Sequence, residues 1–448
     1  RHMPRTGSIT FCFMLCFPEN PLFIILYFMG DPFMCGFSCL RSIQKSSGFW
    51  LPLLSPSSAE SLYFPQCFQI FFIHFPALTH QYAICIIESD NTKGQVFNMA
   101  NEKLKFVCDY MEGAHPAIMN ELLSTNMMQT SGYGLDEFSE SARDKIRKAC
   151  GAPNAGVYLL VGGTQTNATV IDALLRSYQG VLCAETGHIA VHEAGAIEFG
   201  GHKVLPLPHT YGKITAAQVT SYMDTFLSDD NHEHMVMPGM VYISQPTEYG
   251  TLYSLEELTA LSETCRKYHL PLYADGARLA YALASPENDV TLKDLAKLCD
   301  VFYIGGTKCG ALFGEAVVIP DPALIPHFFT IIKQHGALFA KGRILGIQFD
   351  TLFTDDLYLH IGESALDCAA AIKSALKENG YQFFLETPTN QIFIILEDEV
   401  LHRLEEQAEF SFWEKYDDSH TVIRIATSWA TTKEHTDALI ELLKMNRA

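Results

Sequence analysis

One lysine stands directly after an apolar run in Val301-Phe-Tyr-Ile-Gly-Gly-Thr307-Lys308. Four β-branched or aromatic residues in a row predict a buried strand, and the glycine pair lets the backbone turn or press close to a ligand. An ammonium held there against apolar surface is disfavoured by desolvation, so the amine becomes a nucleophile toward carbonyls. That is the requirement of a Schiff-base lysine. A solvated lysine at a strand end is the plainer alternative.

Upstream, Leu270-Pro-Leu-Tyr-Ala-Asp275-Gly-Ala-Arg278 is a second short strand that breaks at an acid. An acid at the carboxyl end of a strand sits where open α/β sheets bind ligands. A carboxylate so placed can keep a pyridine nitrogen protonated, which makes the ring of pyridoxal phosphate an electron sink. Asp275 also reads as an ordinary turn acid. Arg278 carries a fork suited to a carboxylate or to a surface ion pair.

Earlier still, Val157-Tyr-Leu-Leu-Val-Gly162-Gly163-Thr164-Gln-Thr166-Asn167 predicts a strand, a glycine loop and a helix start. Helix-start amides with the Thr164 and Thr166 hydroxyls suit a phosphate dianion. The loop lacks both the P-loop Lys-Ser/Thr pair and the spaced glycines of a dinucleotide site. In Glu185-Thr-Gly-His188-Ile-Ala-Val-His192-Glu193, either histidine could stack on a cofactor ring. Their i, i+4 spacing lacks the order and third ligand of a zinc site, so no metal is expected.

Together these segments resemble the low-specificity L-threonine aldolase and β-eliminating lyase family, pyridoxal phosphate enzymes of the aspartate aminotransferase fold. The resemblance runs from about Phe106 to the C-terminus, with the motifs in the family's order. It implies that Gly163 and Thr164 hold the cofactor phosphate, with Thr307 beside them, and that His188 stacks on the ring. Asp275-Gly-Ala-Arg278 matches the family's Asp-Gly-Ala-Arg, which implies that Asp275 holds the ring nitrogen and Arg278 the substrate carboxylate. Lys308 falls where the family carries its cofactor. Ile423-Arg424 resembles the strand whose arginine also grips the carboxylate, and Tyr133-Gly134-x-Asp136 resembles the family's N-terminal Tyr-Gly-Asp-Asp. A second family histidine corresponds to His232 or His234, and Lys341 or Arg343 to a basic residue that reaches a neighbouring subunit's phosphate. The chain departs from the family at Thr307-Lys308-Cys309, for Ser-Lys-Gly, and at Gln245-Pro246-Thr247, for Glu-Asn-Thr.

The implied activity is retro-aldol cleavage of L-threonine or L-allo-threonine to glycine and an aldehyde. His188, His232, His234 or a water is the expected base. The alternatives are β-elimination or transamination on the same scaffold, or a non-catalytic pyridoxal phosphate-binding oligomer. The implied assembly is a homodimer or homotetramer with a shared active site.

Strands at 157–161, 181–183, 203–207, 240–244, 272–274, 301–304 and 316–319 alternate with helical patterns. This predicts an α/β fold: a large domain, 99–349, with a mostly parallel seven-stranded sheet between helices, and a smaller C-terminal α+β domain, 350–448. The loops at the strands' carboxyl ends carry Gly163, Asp275 and Lys308, so one crevice can collect them.

The formal charge of −20 disfavours nucleic acid and anionic lipid as partners. Residues 1–98 hold five basic and five acidic residues, so the net charge lies in 99–448, with 26 basic against 46 acidic. That first stretch is apolar and aperiodic, with runs (Ile9–Phe17, Leu22–Met29, Gln69–Phe75) too short to span a bilayer. It is expected to lie outside the enzyme fold, because Met99-Ala-Asn-Glu reads as a cytosolic start. Thirteen cysteines without a CxxC pair point to free thiols and a cytoplasmic protein.

Overall fold

The computed structural model describes residues 103–446 with their side chains. Ahead of them only backbone pairing is described: Ile9–Leu15 with Leu22–Phe28, and a three-stranded antiparallel sheet of Glu60–Tyr63, Gln69–Phe72 and Ile84–Ile86. What the sequence implies for the rest of 1–98, including a start at Met99, lies outside the described residues. Residues 1–100 and 101–448 are two compact units.

The second unit is built on seven strands: β1 (Gly156–Leu160), β2 (Gln179–Ala184), β3 (Lys203–Leu207), β4 (Met237–Ser244), β5 (Leu272–Asp275), β6 (Val301–Gly305) and β7 (Glu315–Ile319). Their order is β1-β7-β6-β5-β4-β2-β3, and all neighbours are parallel except those of β7. Near-continuous apolar runs suit such a sheet, because helices cover both faces. Alternate residues serve opposite cores. Val241, Ile243, Leu272, Ala274, Phe302 and Ile304 join one apolar cluster, while Met240, Tyr242, Tyr273, Val301 and Tyr303 join the other.

Helices α1 (Pro116–Ser124), α2 (Glu137–Ala149), α3 (Gly163–Leu174), α4 (Ala216–Ser228), α5 (Leu255–Lys267) and α6 (Leu292–Leu298) lie before or between these strands. The last three start at reciprocal caps, Thr215 with Gln218, Ser254 with Glu257 and Thr291 with Asp294, so each boundary is written locally. After α7 (Arg343–Leu352) and α8 (Glu363–Glu378) comes an antiparallel sheet in the order β8 (Gln382–Leu385), β9 (Gln391–Glu397), β11 (His420–Ala426), β10 (Ser411–Lys415). The closing helix α9 (Lys433–Met445) shares a core with α8 and this sheet, through Ile372, Leu376, Ile394, Ile425 and Leu439. Leu104–Lys105 pairs with Ala408–Glu409, which delivers the segment after it to the crevice. No helix among the described residues is long and apolar enough to cross a membrane.

Candidate active site

The carboxyl ends of β5 and β6 are pressed together. A Cβ on Gly276 would meet the Tyr303 carbonyl at 2.0 Å, and one on Gly305 the Ala277 carbonyl at 2.3 Å, so both positions demand glycine. That contact brings Asp275 and Lys308 to one crevice.

Asp275 is buried and receives four hydrogen bonds. Tyr303 Oη and the Ala277 amide donate to Oδ1 at 2.5 and 3.0 Å, and Tyr242 Oη and Asn167 Nδ2 to Oδ2 at 2.7 and 3.0 Å. Burial alone would lift its pKa. The charge on His188 and the bonds from Tyr303, Asn167 and Tyr242 outweigh it and hold the carboxyl below its ordinary value. Tyr273 fixes Asn167 in turn, donating to Oδ1 at 2.8 Å.

His188 opens a single helical turn after β2. Its amide donates to Glu248 Oε1 at 2.9 Å, and its Nδ1 lies 2.8 Å from Glu193 Oε1, which also takes Asn167 Nδ2 at 2.8 Å. The imidazole is therefore locked as a plate and wired to the carboxylate across the site. The His192 ring lies beside it, centroids 5.6 Å apart.

Lys308 follows β6, partly buried, with Nζ 5.7 Å from the centre of the Tyr110 ring. Burial and the neighbouring Arg278 lower its pKa, against Asp109, Asp275 and Glu315. A lowered pKa is what a carbonyl-directed amine needs. Next to it, Thr307 Oγ1 donates to Glu315 Oε1 at 2.8 Å and accepts from the Gly314 amide at 3.0 Å. Burial pushes the Glu315 carboxyl up to about 8.

Two arginines close the opposite wall. Arg278 is buried and held by Asp109, whose carboxylate also accepts from Asn390 at 2.9 Å. Arg424, on β11, donates to Gln391 Oε1 at 3.0 Å and to the Val107 carbonyl at 3.2 Å, and its Nε is buried without a partner. Burial and the nearby Arg278 lower its pKa to about 10.

Gly163 and Thr164 open α3, whose first amides have no intrahelical partner. Thr166 Oγ1 on the same turn is buried without a partner. This cradle fits a phosphate, Asp275 fits a protonated ring nitrogen, and Lys308 fits an aldehyde carbon. Pyridoxal phosphate is the cofactor that joins all three.

The remaining sequence-derived candidates lie apart. Tyr133 is exposed, its amide bonded to the Ala340 carbonyl at 3.1 Å, next to the exposed Lys341. Arg343 is spent on backbone, donating to Met128 and Thr125 carbonyls at 2.8 and 2.7 Å. His232 and His234 sit on a short turn before β4, at the amino edge of the sheet. Eight residues of strand, roughly 26 Å at 3.3 Å each, separate that edge from the crevice. Among the described residues no cluster of acids, cysteines and histidines could hold a metal.

Sequence reasoning missed Asp109, Glu193, Tyr242, Tyr303, Glu315 and Gln391. A signal existed for the tyrosines: Tyr242, Tyr273 and Tyr303 each stand two residues before the end of adjacent strands, on one face of the sheet.

Residues 106–406 match the family model described as beta-eliminating lyase. The chain is 30% identical over 309 residues to the low specificity L-threonine aldolase of Pseudomonas aeruginosa, covering 68% of this chain and 88% of that one. The solved threonine aldolase of Leishmania major is 41% identical, with a TM-score of 0.74 over 77% of this chain and 99% of that one. Aspartate aminotransferase of Thermus thermophilus, at 13% identity and TM-score 0.58 over 78% and 92%, shares the fold. The family model spans well over half of the chain, and so this chain belongs to the β-eliminating lyase family.

Proposed function

We propose that this enzyme cleaves β-hydroxy-α-amino acids, L-threonine or L-allo-threonine, to glycine and an aldehyde. The carrying observation is the convergence of Lys308, Asp275 and the His188 plate with the arginine wall, in a chain similar to threonine aldolases along most of its length. Lys308 would hold the cofactor aldehyde, Asp275 the ring nitrogen, Gly163, Thr164 and Thr307 the phosphate, and His188 the ring face. When bound, the cofactor accepts the electron pair left on Cα.

The residues of the chain decide which bond is broken. Arg278 and Arg424 grip the α-carboxylate and fix the rotation about the amine–Cα bond. With the carboxylate so gripped, a base at the crevice takes the proton of a β-hydroxyl.

We also propose that a second copy of the chain completes the site. Leu123, Met127 and Leu135 expose 78%, 89% and 66% of their surface on the segment beside Tyr133, and Lys341 faces outward there. A homodimer or homotetramer would cover this face and supply Lys341 to a neighbour's phosphate. The cytoplasm is the proposed compartment, since all seven cysteines among the described residues are free thiols. The enzyme proper is proposed to be 99–349 with a small domain at 350–448.

Product analysis tests the reading. Glycine with acetaldehyde from L-threonine supports it; pyruvate with ammonia from serine, without aldehyde release, would replace it with β-elimination.

A further inference from the structure

Two histidines share the turn after β2, and their surroundings give them different work. His188 is clamped at both its amide and its Nδ1. His192 caps the turn, its amide bonded to the His188 carbonyl at 2.9 Å, and its ring is exposed with no hydrogen-bond partner among the described residues. Its ring centroid is 5.6 Å from that of His188. The charges that act on it come from His188 on its own turn, Arg424 on β11, Lys308 after β6 and Arg278 after β5. The neighbouring Glu193 carboxylate is turned toward His188 and Asn167. His192 is therefore an unengaged imidazole at the edge of the crevice where the substrate carboxylate and amine converge.

We propose that His192 takes the proton from the substrate's β-hydroxyl. The proposal rests on the aldol-cleavage reading above and names the base that reading requires. One ring nitrogen accepts the proton; the O–H pair becomes the second bond of the aldehyde C=O; the Cα–Cβ pair stays with the glycine fragment. That fragment takes one proton from solvent, and the imidazolium returns one to solvent. The covered part of the ring, then the charges of His188, Arg424, Lys308 and Arg278, lower the pKa of His192, which favours the neutral form that can accept a proton. His188 has its Nδ1 committed to Glu193 and its face assigned to the cofactor ring, which leaves only Nε2, whereas both ring nitrogens of His192 lack a hydrogen-bond partner among the described residues.

The test uses the full chain loaded with pyridoxal phosphate, as wild type, His192→Gln and His192→Phe. The expected result for both variants is a kcat on L-threonine lower by about 100-fold or more, with KM and the cofactor absorbance preserved. Exchange of the glycine α-proton into deuterium oxide needs no β-hydroxyl and should persist at the wild-type rate. The acid limb of the wild-type kcat/KM profile, with its midpoint below the ordinary histidine value, should vanish in both variants. A His192→Gln enzyme as active as wild type, or one that loses glycine exchange in proportion, would overturn the proposal while leaving the aldolase reading intact. A wild-type enzyme that releases no aldehyde from any β-hydroxy amino acid overturns both.

Discussion

Arg278 and Asp109 form a buried two-point ion pair, Nε to Oδ2 at 2.7 Å and Nη2 to Oδ1 at 3.0 Å. The pair uses one edge of the guanidinium and leaves the Nη1 side open, where the proposed reaction would place the substrate carboxylate. Asp109 thus aims the arginine. Removing it strands a buried charge, which costs about 3–5 kcal/mol of stability. Asp109→Ala should lower the urea midpoint accordingly, and Asp109→Asn, which keeps the shape, should raise KM for the amino acid at least about tenfold with kcat changed less.

The same pair has a pH signature. Burial would raise the Asp109 pKa, but Arg278, Lys308 and the bonds from Arg278 and Asn390 bring it down to about 2. A carboxyl with a depressed folded-state pKa contributes stability above its unfolded value near 3.8, and loses it as pH falls toward 2. Wild-type stability, followed by denaturant unfolding, should drop over that window more steeply than that of Asp109→Asn.

Glu315 predicts the opposite sign. Its folded-state pKa is raised from 4.5 to about 8, so its neutral form is favoured, and the stability this contributes is lost as pH rises from 4.5 through 8. Thr307 donates its hydroxyl proton to Glu315, and an ionised Glu315 would hold that proton more firmly, away from the phosphate that Thr307 is proposed to bind. Glu315→Gln should flatten the alkaline loss of stability and keep cofactor affinity at pH 9, measured by equilibrium dialysis, while wild type loses it. Equal losses in both proteins would show that Thr307 is not a phosphate donor.

Tyr303 and Tyr242 hold Asp275 ionised from two strands. The double substitution to Phe should raise the Asp275 pKa and cut kcat by more than about tenfold, with the absorbance of bound cofactor shifted in the pH titration. Each single substitution should do less than half of this on a logarithmic scale, because the remaining donors are shared.

Much of this was legible in sequence because it is local. The seven strands of the large sheet each announce themselves as a short apolar run, and Asp275-Gly and Gly305-Gly306 mark where they end. The strand Ser411–Lys415 was not anticipated: five residues, none buried, at the edge of its sheet, with no alternation to betray it. Asp109 is legible only through its partner, which lies 169 residues away. Glu315 has the same character. On sequence alone it is an acid at the mouth of a strand; its meaning comes from Thr307 and Gly306, which the loop after β6 folds back over it. The paired arginines needed both sheets in place, since Arg278 follows β5 and Arg424 lies on β11.

In the proposed function Lys308 carries pyridoxal phosphate. An absorbance spectrum of the purified chain supplied with pyridoxal phosphate tests it most directly. The expected spectrum has a band at the edge of the visible range that changes on addition of L-threonine or L-allo-threonine and is absent from Lys308→Ala. No such band in the wild-type protein, or an undiminished band in Lys308→Ala, would contradict it.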